Sequence, residues 1–249
     1  SISDNILRQV SDADRRFRNT FRFLLGNLSD FDDQKDAVTD WSALEPIDQY
    51  MMAKTAKLLS DVEEAYDAFK FNGVYRAVYD FVNDLSSVYM DVTKDRLYSE
   101  APNSPRRRAV QTVLMNILEV LVRVLSPILS FTADEVWEHY PEVMRNREGR
   151  VDNVQLAGWP HRADFVPALP GKDAEAQVLS AFGGALEVRD VVTKALEDAR
   201  AAKVINKSQE AAVVVTAPQA TLDGLAAFDT AVFEELFIVS GVSFAAGEE

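Results

Sequence analysis

Cysteine is absent from this sequence of 249 residues, and histidine occurs only at His139 and His161. Without thiols there is no disulfide framework and no thiolate zinc or iron–sulfur site, and two imidazoles do not build a His-rich metal site by themselves. The Asp, Gly and Glu spacing of a calcium loop is missing, and so is a P-loop. Gly183-Gly184 lacks the flanking glycine and preceding strand of a dinucleotide site. Nucleophilic catalysis needs an activated Ser, Cys or Thr beside a base, and there is no G-x-S-x-G. His139 stands at a helix end next to Tyr140-Pro141, and His161 follows Trp159-Pro160; both read as structural or solvated. Acid pairs such as Glu63-Glu64 read as a solvated face. No residue is therefore assigned to catalysis or to a metal.

Long apolar runs are also lacking. The longest, Val113 to Phe131, is broken by Asn116, Glu119, Arg123 and Pro127 and is too polar to span a bilayer. The chain opens inside a helical pattern, with no initiator Met and no basic-then-apolar leader, which reads as a piece excised from a longer protein. A soluble, cytoplasmic monomer with no membrane contact is expected.

What is present is a hydrophobic content of 47%, enough to bury a real core, and a net charge of −14. That sign opposes phosphate binding, which depends on local positive potential. The charge is segregated, however. Residues 1–22 carry five arginines against three aspartates, residues 94–108 carry five cations against two acids, and residues 28–68 hold eleven acids against three lysines. A basic face on an acidic body is compatible with these numbers.

Helical periodicity dominates the first part of the chain. Ile6, Val10, Phe17, Phe21, Leu24 and Leu28 fall on one face of a helix from about Ser3 to Asn27, followed by a loop to about Leu44. Glu45-Pro46-Ile47-Asp48 opens a second helix to about Phe71, because proline is preorganised for the first helical position and an acid there complements the free N–H groups. Asn72-Gly73 punctuates, and Val74, Val78, Phe81, Leu85, Val88 and Val92 predict a third helix to about Arg96. Ser104-Pro105 starts a fourth, ending near Ser126, and Thr132-Ala133-Asp134-Glu135 has capping-box spacing for a short fifth helix carrying Trp137. The fold expected is mainly α: an antiparallel helical bundle over residues 1–140, a Gly- and Pro-rich linker over 141–172, and a small α+β module over 173–249. In that module a helix is expected from about Asp173 to Ala202, a strand at Val213–Thr216, a weak helix at 221–228 and a second strand near Phe237 to Phe244.

Arginines are the one residue class arranged with any chemical suggestion. At about 100° per residue, Arg8, Arg15, Arg18 and Arg22 form a stripe opposite the apolar face of the first helix, with Asn19 beside it. Arg106, Arg107 and Arg108, with Lys94 and Arg96, make a second cluster. Guanidinium groups suit RNA because they give bidentate donors to phosphate and a plane that stacks on bases. The alternative is that these arginines pair with the chain's many acids and solubilise the bundle. Composition leaves both readings open.

Several ordered stretches carry a resemblance. Ser11 to Leu28, which includes Arg18-Asn19-Thr20 and Arg22-Phe23-Leu24-Leu25-Gly26-Asn27, is followed by Leu44-Glu45-Pro46-Ile47-Asp48, Phe81 to Ser86, Lys94-Asp95-Arg96-Leu97-Tyr98 and Leu125 to Trp137. In this order they resemble the anticodon-domain helices of isoleucyl-tRNA synthetases, class I aminoacyl-tRNA synthetases, across most of residues 1–160. Val188-Arg189 and Leu196 to Ala211 are similar to the helix and turn that follow in bacterial-type members, although the family commonly has glycine where Asn206 stands; asparagine tolerates a left-handed turn.

The resemblance implies a parent ligase that joins isoleucine to tRNA(Ile) with ATP and magnesium, whose catalytic and editing domains lie elsewhere in the same chain. It further implies that this bundle lies along the anticodon stem and loop. By residue it points to Arg15, Arg18, Asn19 and Arg22 at the RNA face, and more weakly to Arg96, Arg106, Arg107 and Arg108; Asn19 and Arg22 are equally suited to bonding between helices. The short His- and Lys-containing signatures of a class I nucleotide site are absent, so no cofactor and no reaction are expected of these residues. Many full-length members end in a cysteine-bound zinc module, for which this sequence has no ligands. Valyl- and leucyl-tRNA synthetases share the bundle and are the near alternative; a helical scaffold that binds protein through a groove is the distant one.

Overall fold

The computed structural model describes residues 4–247, with no account of the side chains of residues 5–7. Ser3, expected at the first helix start, and the Ile6 side chain therefore lie outside the described residues. The chain divides into two compact units, residues 1–170 and 171–249.

The first unit is a helical bundle. Helices α1 (Asp4–Asn27), α2 (Pro46–Asp67), α3 (Phe71–Asp84), α4 (Asp91–Tyr98), α5 (Pro105–Leu125), α6 (Ser130–Glu138) and α7 (Glu142–Arg145) follow in order. Helix α5 is the axial element, buried on nearly every side and touching α1, α2, α4 and α6. An all-round apolar helix is stable only in such a position. Around it, Phe17, Phe21, Leu24 and Leu28 of α1, Met51, Met52 and Leu59 of α2, and Val74, Val78 and Phe81 of α3 close the core. Val10, expected on the same apolar face of α1, is 55% exposed.

Three boundaries differ from the sequence expectation. The break after α2 falls at Ala68–Lys70 rather than at Asn72-Gly73, which lie in the first turn of α3. There Phe69 takes a left-handed conformation, φ 54, while the Lys70 N–H donates to Ala65 O at 2.8 Å and the Phe69 N–H to Tyr66 O at 2.9 Å. This is a Schellman stop, usually built on glycine, with phenylalanine in its place. The expected third helix is helical over its whole length, but Leu85–Met90 form a π turn between α3 and α4. The expected capping box at Thr132 is not formed, since α6 starts at Ser130 with Leu129 as its cap residue.

Residues 141–170, expected as a linker, are carried within the first unit. Val154 and Phe165 are buried, Trp137 Nε1 donates to Val151 O at 2.9 Å, and the Asn116 carboxamide binds Val166 at both its N–H (3.0 Å) and its carbonyl (2.6 Å). Trp159 Nε1 donates to Glu63 at 2.9 Å. A loop so bonded satisfies its polar backbone against the bundle instead of against water.

The second unit opens at Gly171, whose φ of +110 suits only glycine. Helix α8 (Lys172–Ala201) is followed by strand β1 (Ala212–Ala217), α9 (Gln219–Leu225), α10 (Thr230–Phe237) and strand β2 (Gly241–Ala246). The strands pair in parallel, Ala212 opposite Gly241 through Ala217 opposite Ala246, with α9 and α10 as the crossover that parallel pairing requires. Phe182 of α8, Phe228, Phe233 and Phe237 and Phe244 of β2 form a connected set of ring contacts at 4.9–6.1 Å. Helix α10 ends on Phe237, the first residue of the expected second strand, which starts later, at Gly241. Val232, Phe233, Leu236 and Phe237 carry the reason, since their spacing is helical. Asn206 is not in the left-handed region; Lys203 is, at φ 59.

Candidate nucleic-acid interface

The candidate arginines divide by what stands beside them. Arg96 is 2% exposed and lies inside the first unit. Its Nη1 donates to Asp48 at 3.0 Å and its Nη2 pairs with Glu45, while the Tyr89 hydroxyl donates to the other Asp48 oxygen at 2.7 Å. Burial pushes the Asp48 carboxyl up and Arg96 pulls it back. The π turn contributes here, because it carries Tyr89 into the core opposite α2. Arg96 thus offers no surface to an RNA, and its charge serves the packing of α4 on α2.

Arg107 and Arg108, at the first turn of α5, are each only 13% exposed. Arg107 clasps both Asp30 oxygens, at 2.7 and 3.0 Å, and donates to Leu97 O and Pro102 O. Arg108 donates to Asp30 O, Gln111 and Asn103 at 2.8–3.0 Å. These bonds tie the start of α5 to Asp30 of the α1–α2 connection and to the α4–α5 turn. Arg106, half exposed, bridges Glu45 and Glu100, both at 2.7 Å. The acid-rich segment 28–68 therefore neutralises the second basic cluster. Arg147, which no sequence pattern singles out, binds Asp32 at 3.1 Å, Asp33 and Gln34 in the same manner.

Helix α1 is different. Arg15, Asn19 and Arg22 are exposed along its outward line, with Arg8 one turn and more before them. Arg15 has a surface pair with Asp12 at 3.0 Å, both ends well solvated, which is a weak tie. Among the described residues, Arg8, Asn19 and Arg22 have no hydrogen-bond or ion-pair partner. Arg18 leans to one side of this line, where Nη1 and Nη2 reach Glu135 of α6 at 3.0 and 2.9 Å. Arg16 leans to the other side: its guanidinium lies over the Tyr79 ring of α3 at 5.1 Å and donates to Asn83 Oδ1, and no acid among the described residues pairs with it. Sequence reasoning misses Arg16 and Tyr79. Arg16 points a quarter turn off the stripe, and its ring partner lies on another helix, so only tertiary structure brings them together.

Between α1 and the π turn runs an open groove of about 650 Å³, lined by Arg15, Arg16, Asn19, Tyr79, Ser86 and Met90 among others. A separate cavity of about 450 Å³ lies beneath residues 144–166, lined by Arg123, Trp137, Arg147, Arg150 and Phe165 with Glu119 and Asp33; it holds none of the candidate residues. Arg150 stacks at 3.6 Å on Trp137 and 4.3 Å on Tyr140. His139 is exposed, its Nδ1 2.7 Å from Glu135 O, and His161 lines that cavity. No helix among the described residues is long and apolar enough to cross a membrane.

Residues 48–215 match the family described as the anticodon-binding domain of tRNA ligase. Curated relatives include isoleucine–tRNA ligases of Geobacillus kaustophilus (strain HTA426), 45% identical over 245 residues, and of Lactococcus lactis subsp. lactis (strain IL1403), 42% identical over 243 residues. A third, from Syntrophomonas wolfei subsp. wolfei, is 39% identical over 241 residues. These alignments cover 96–98% of this chain but only 24–25% of each relative, so the chain spans about a quarter of their length.

Proposed function

Since the chain belongs to the anticodon-binding domain family of tRNA ligases, we propose that the outward face of α1 receives the anticodon arm of tRNA(Ile). The parent protein in this reading is an isoleucine–tRNA ligase that joins isoleucine to tRNA(Ile) with ATP in the cytoplasm. The observation that carries it is the division of the arginines. The cluster at 96–108 is consumed by Asp30, Glu45, Asp48 and Glu100, whereas Arg8 and Arg22 have no acid partner among the described residues. Positive charge left uncompensated on an exposed helix is what phosphates select.

Activation of the amino acid, editing, and any ATP, magnesium or zinc site belong to other parts of such a protein. The sequence has no cysteine to supply thiolate ligands.

The test is binding of an RNA hairpin carrying the anticodon stem and loop of tRNA(Ile) to the 249-residue chain. Arg15→Ala/Arg22→Ala is expected to weaken binding about tenfold or more while the helical circular dichroism is unchanged. Equal affinity of the folded double variant sinks the assignment of this face.

A further inference from the structure

Arg16 is held differently from its neighbours on α1. A line of rings leads from the core to it: buried Phe17 meets Tyr75 edge-on at 5.9 Å, Tyr75 stacks on Tyr79 at 6.1 Å and 17°, and Tyr79 lies under the Arg16 guanidinium. Asn83 Oδ1 accepts a hydrogen bond from Arg16 Nη1. The result is an exposed guanidinium with a ring behind it and no acid paired to it among the described residues; Asp12, which also lines the groove, is paired with Arg15. A phosphate needs only charge, and the exposed Arg15 or Arg22 supplies that. A guanidinium backed by an aromatic ring is instead suited to a flat, unstacked base.

The groove beside this plane supplies an edge for such a base. Asn19 has an unpartnered carboxamide with both donors and an acceptor, and the Ser86 hydroxyl, which donates to Val82 O at 2.9 Å, keeps its oxygen as an acceptor. Ser86 is presented by the π turn, and such turns are enriched at functional sites.

We propose that the Arg16–Tyr79 pair is a stacking platform for a single unpaired nucleobase of the bound RNA loop, whose edge is read by Asn19 and Ser86. This rests on the reading of the α1 face as an RNA surface. Arg16 is thereby a specificity residue, distinct from the stripe that supplies charge.

The experiment uses the full 249-residue chain and anticodon stem-loop RNAs in which 2-aminopurine, or an abasic residue, replaces each loop nucleotide in turn. At one loop position the fluorophore is expected to change intensity on binding wild type but not on binding Arg16→Lys, which keeps the charge and loses the plane. Arg16→Lys and an abasic residue at that position should each weaken binding about tenfold, and combined should cost little more than either alone. The salt dependence of Arg16→Lys should match wild type. If abasic substitution at every loop position leaves wild-type affinity intact, or if Arg16→Lys binds and reports as wild type, the stacking site is wrong while the RNA surface stands. If wild type binds none of these RNAs, both are overturned.

Discussion

A guanidinium in a folded chain is available to a ligand only if nothing in the chain already holds it, and here the arginines divide on that ground. Arg96 sits with Asp48 in the interior, where two ions have lost their water and depend on each other. Arg96→Met is expected to lower the stability of the first unit by about 3–5 kcal/mol, read from the urea midpoint; a change under about 1 kcal/mol contradicts the buried pair as drawn. Asp30 gives a pH-dependent counterpart. The hydrogen bond from Arg107 is the main reason its carboxyl sits below the ordinary value of 3.8. A carboxylate lowered on folding stabilises the native state above its unfolded value, and that contribution is lost as pH falls through the lowered one. Asp30→Asn should therefore be less stable than wild type at neutral pH, with the gap closing below about pH 4. Parallel stability curves at pH 7 and pH 3 contradict the clasp. The positions of these arginines were legible in the sequence, but their partners were not. Arg107 meets Asp30 and Arg96 meets Asp48 across long stretches of chain, so charge counting alone left pairing and RNA binding equally open.

Among the elements, helices with a strong apolar period were legible almost to the residue, as α5 with Pro105 at its start and α8 ending at Ala201 illustrate. Stops were harder to read where the turn residue is not one that favours a left-handed backbone. Phe69, Lys203 and Ile238 all stand at positive φ, at 54, 59 and 58, and the first of these displaced the α2–α3 break from the more conspicuous Asn72-Gly73. A left-handed L-residue costs roughly 1–2 kcal/mol relative to glycine's freedom there. Phe69 is 80% exposed and has little packing to lose. Phe69→Gly is thus expected to stabilise the first unit by about 1 kcal/mol, and a lowered melting temperature would falsify the Schellman account. The π turn at Leu85–Met90 was not legible either, because Leu85, Val88 and Val92 keep a continuous helical spacing in the sequence, whereas the extra residue in the turn buries Tyr89 and leaves Val88 half-buried. One wall of the candidate groove depends on that turn.

For the whole molecule, a net charge of −14 stands against an RNA-binding role only if the acids are spread evenly. They are not. The acids of residues 28–48 are turned onto Arg96, Arg106–Arg108 and Arg147, whereas Arg8 and Arg22 of α1 have no acid partner among the described residues. The packed segment 141–170, with Trp159 and Phe165, belongs to the same unit as α1. The measurement that tests this most directly is the salt dependence of anticodon stem-loop binding for wild type and Arg15→Ala/Arg22→Ala. Neutralised phosphates release counterions, so log K falls with log salt, and each phosphate that is no longer neutralised flattens the slope by about 1. A slope shallower by about 2 in the double variant, with its fold intact, is the result predicted; an identical slope in both proteins contradicts the assignment of the α1 face.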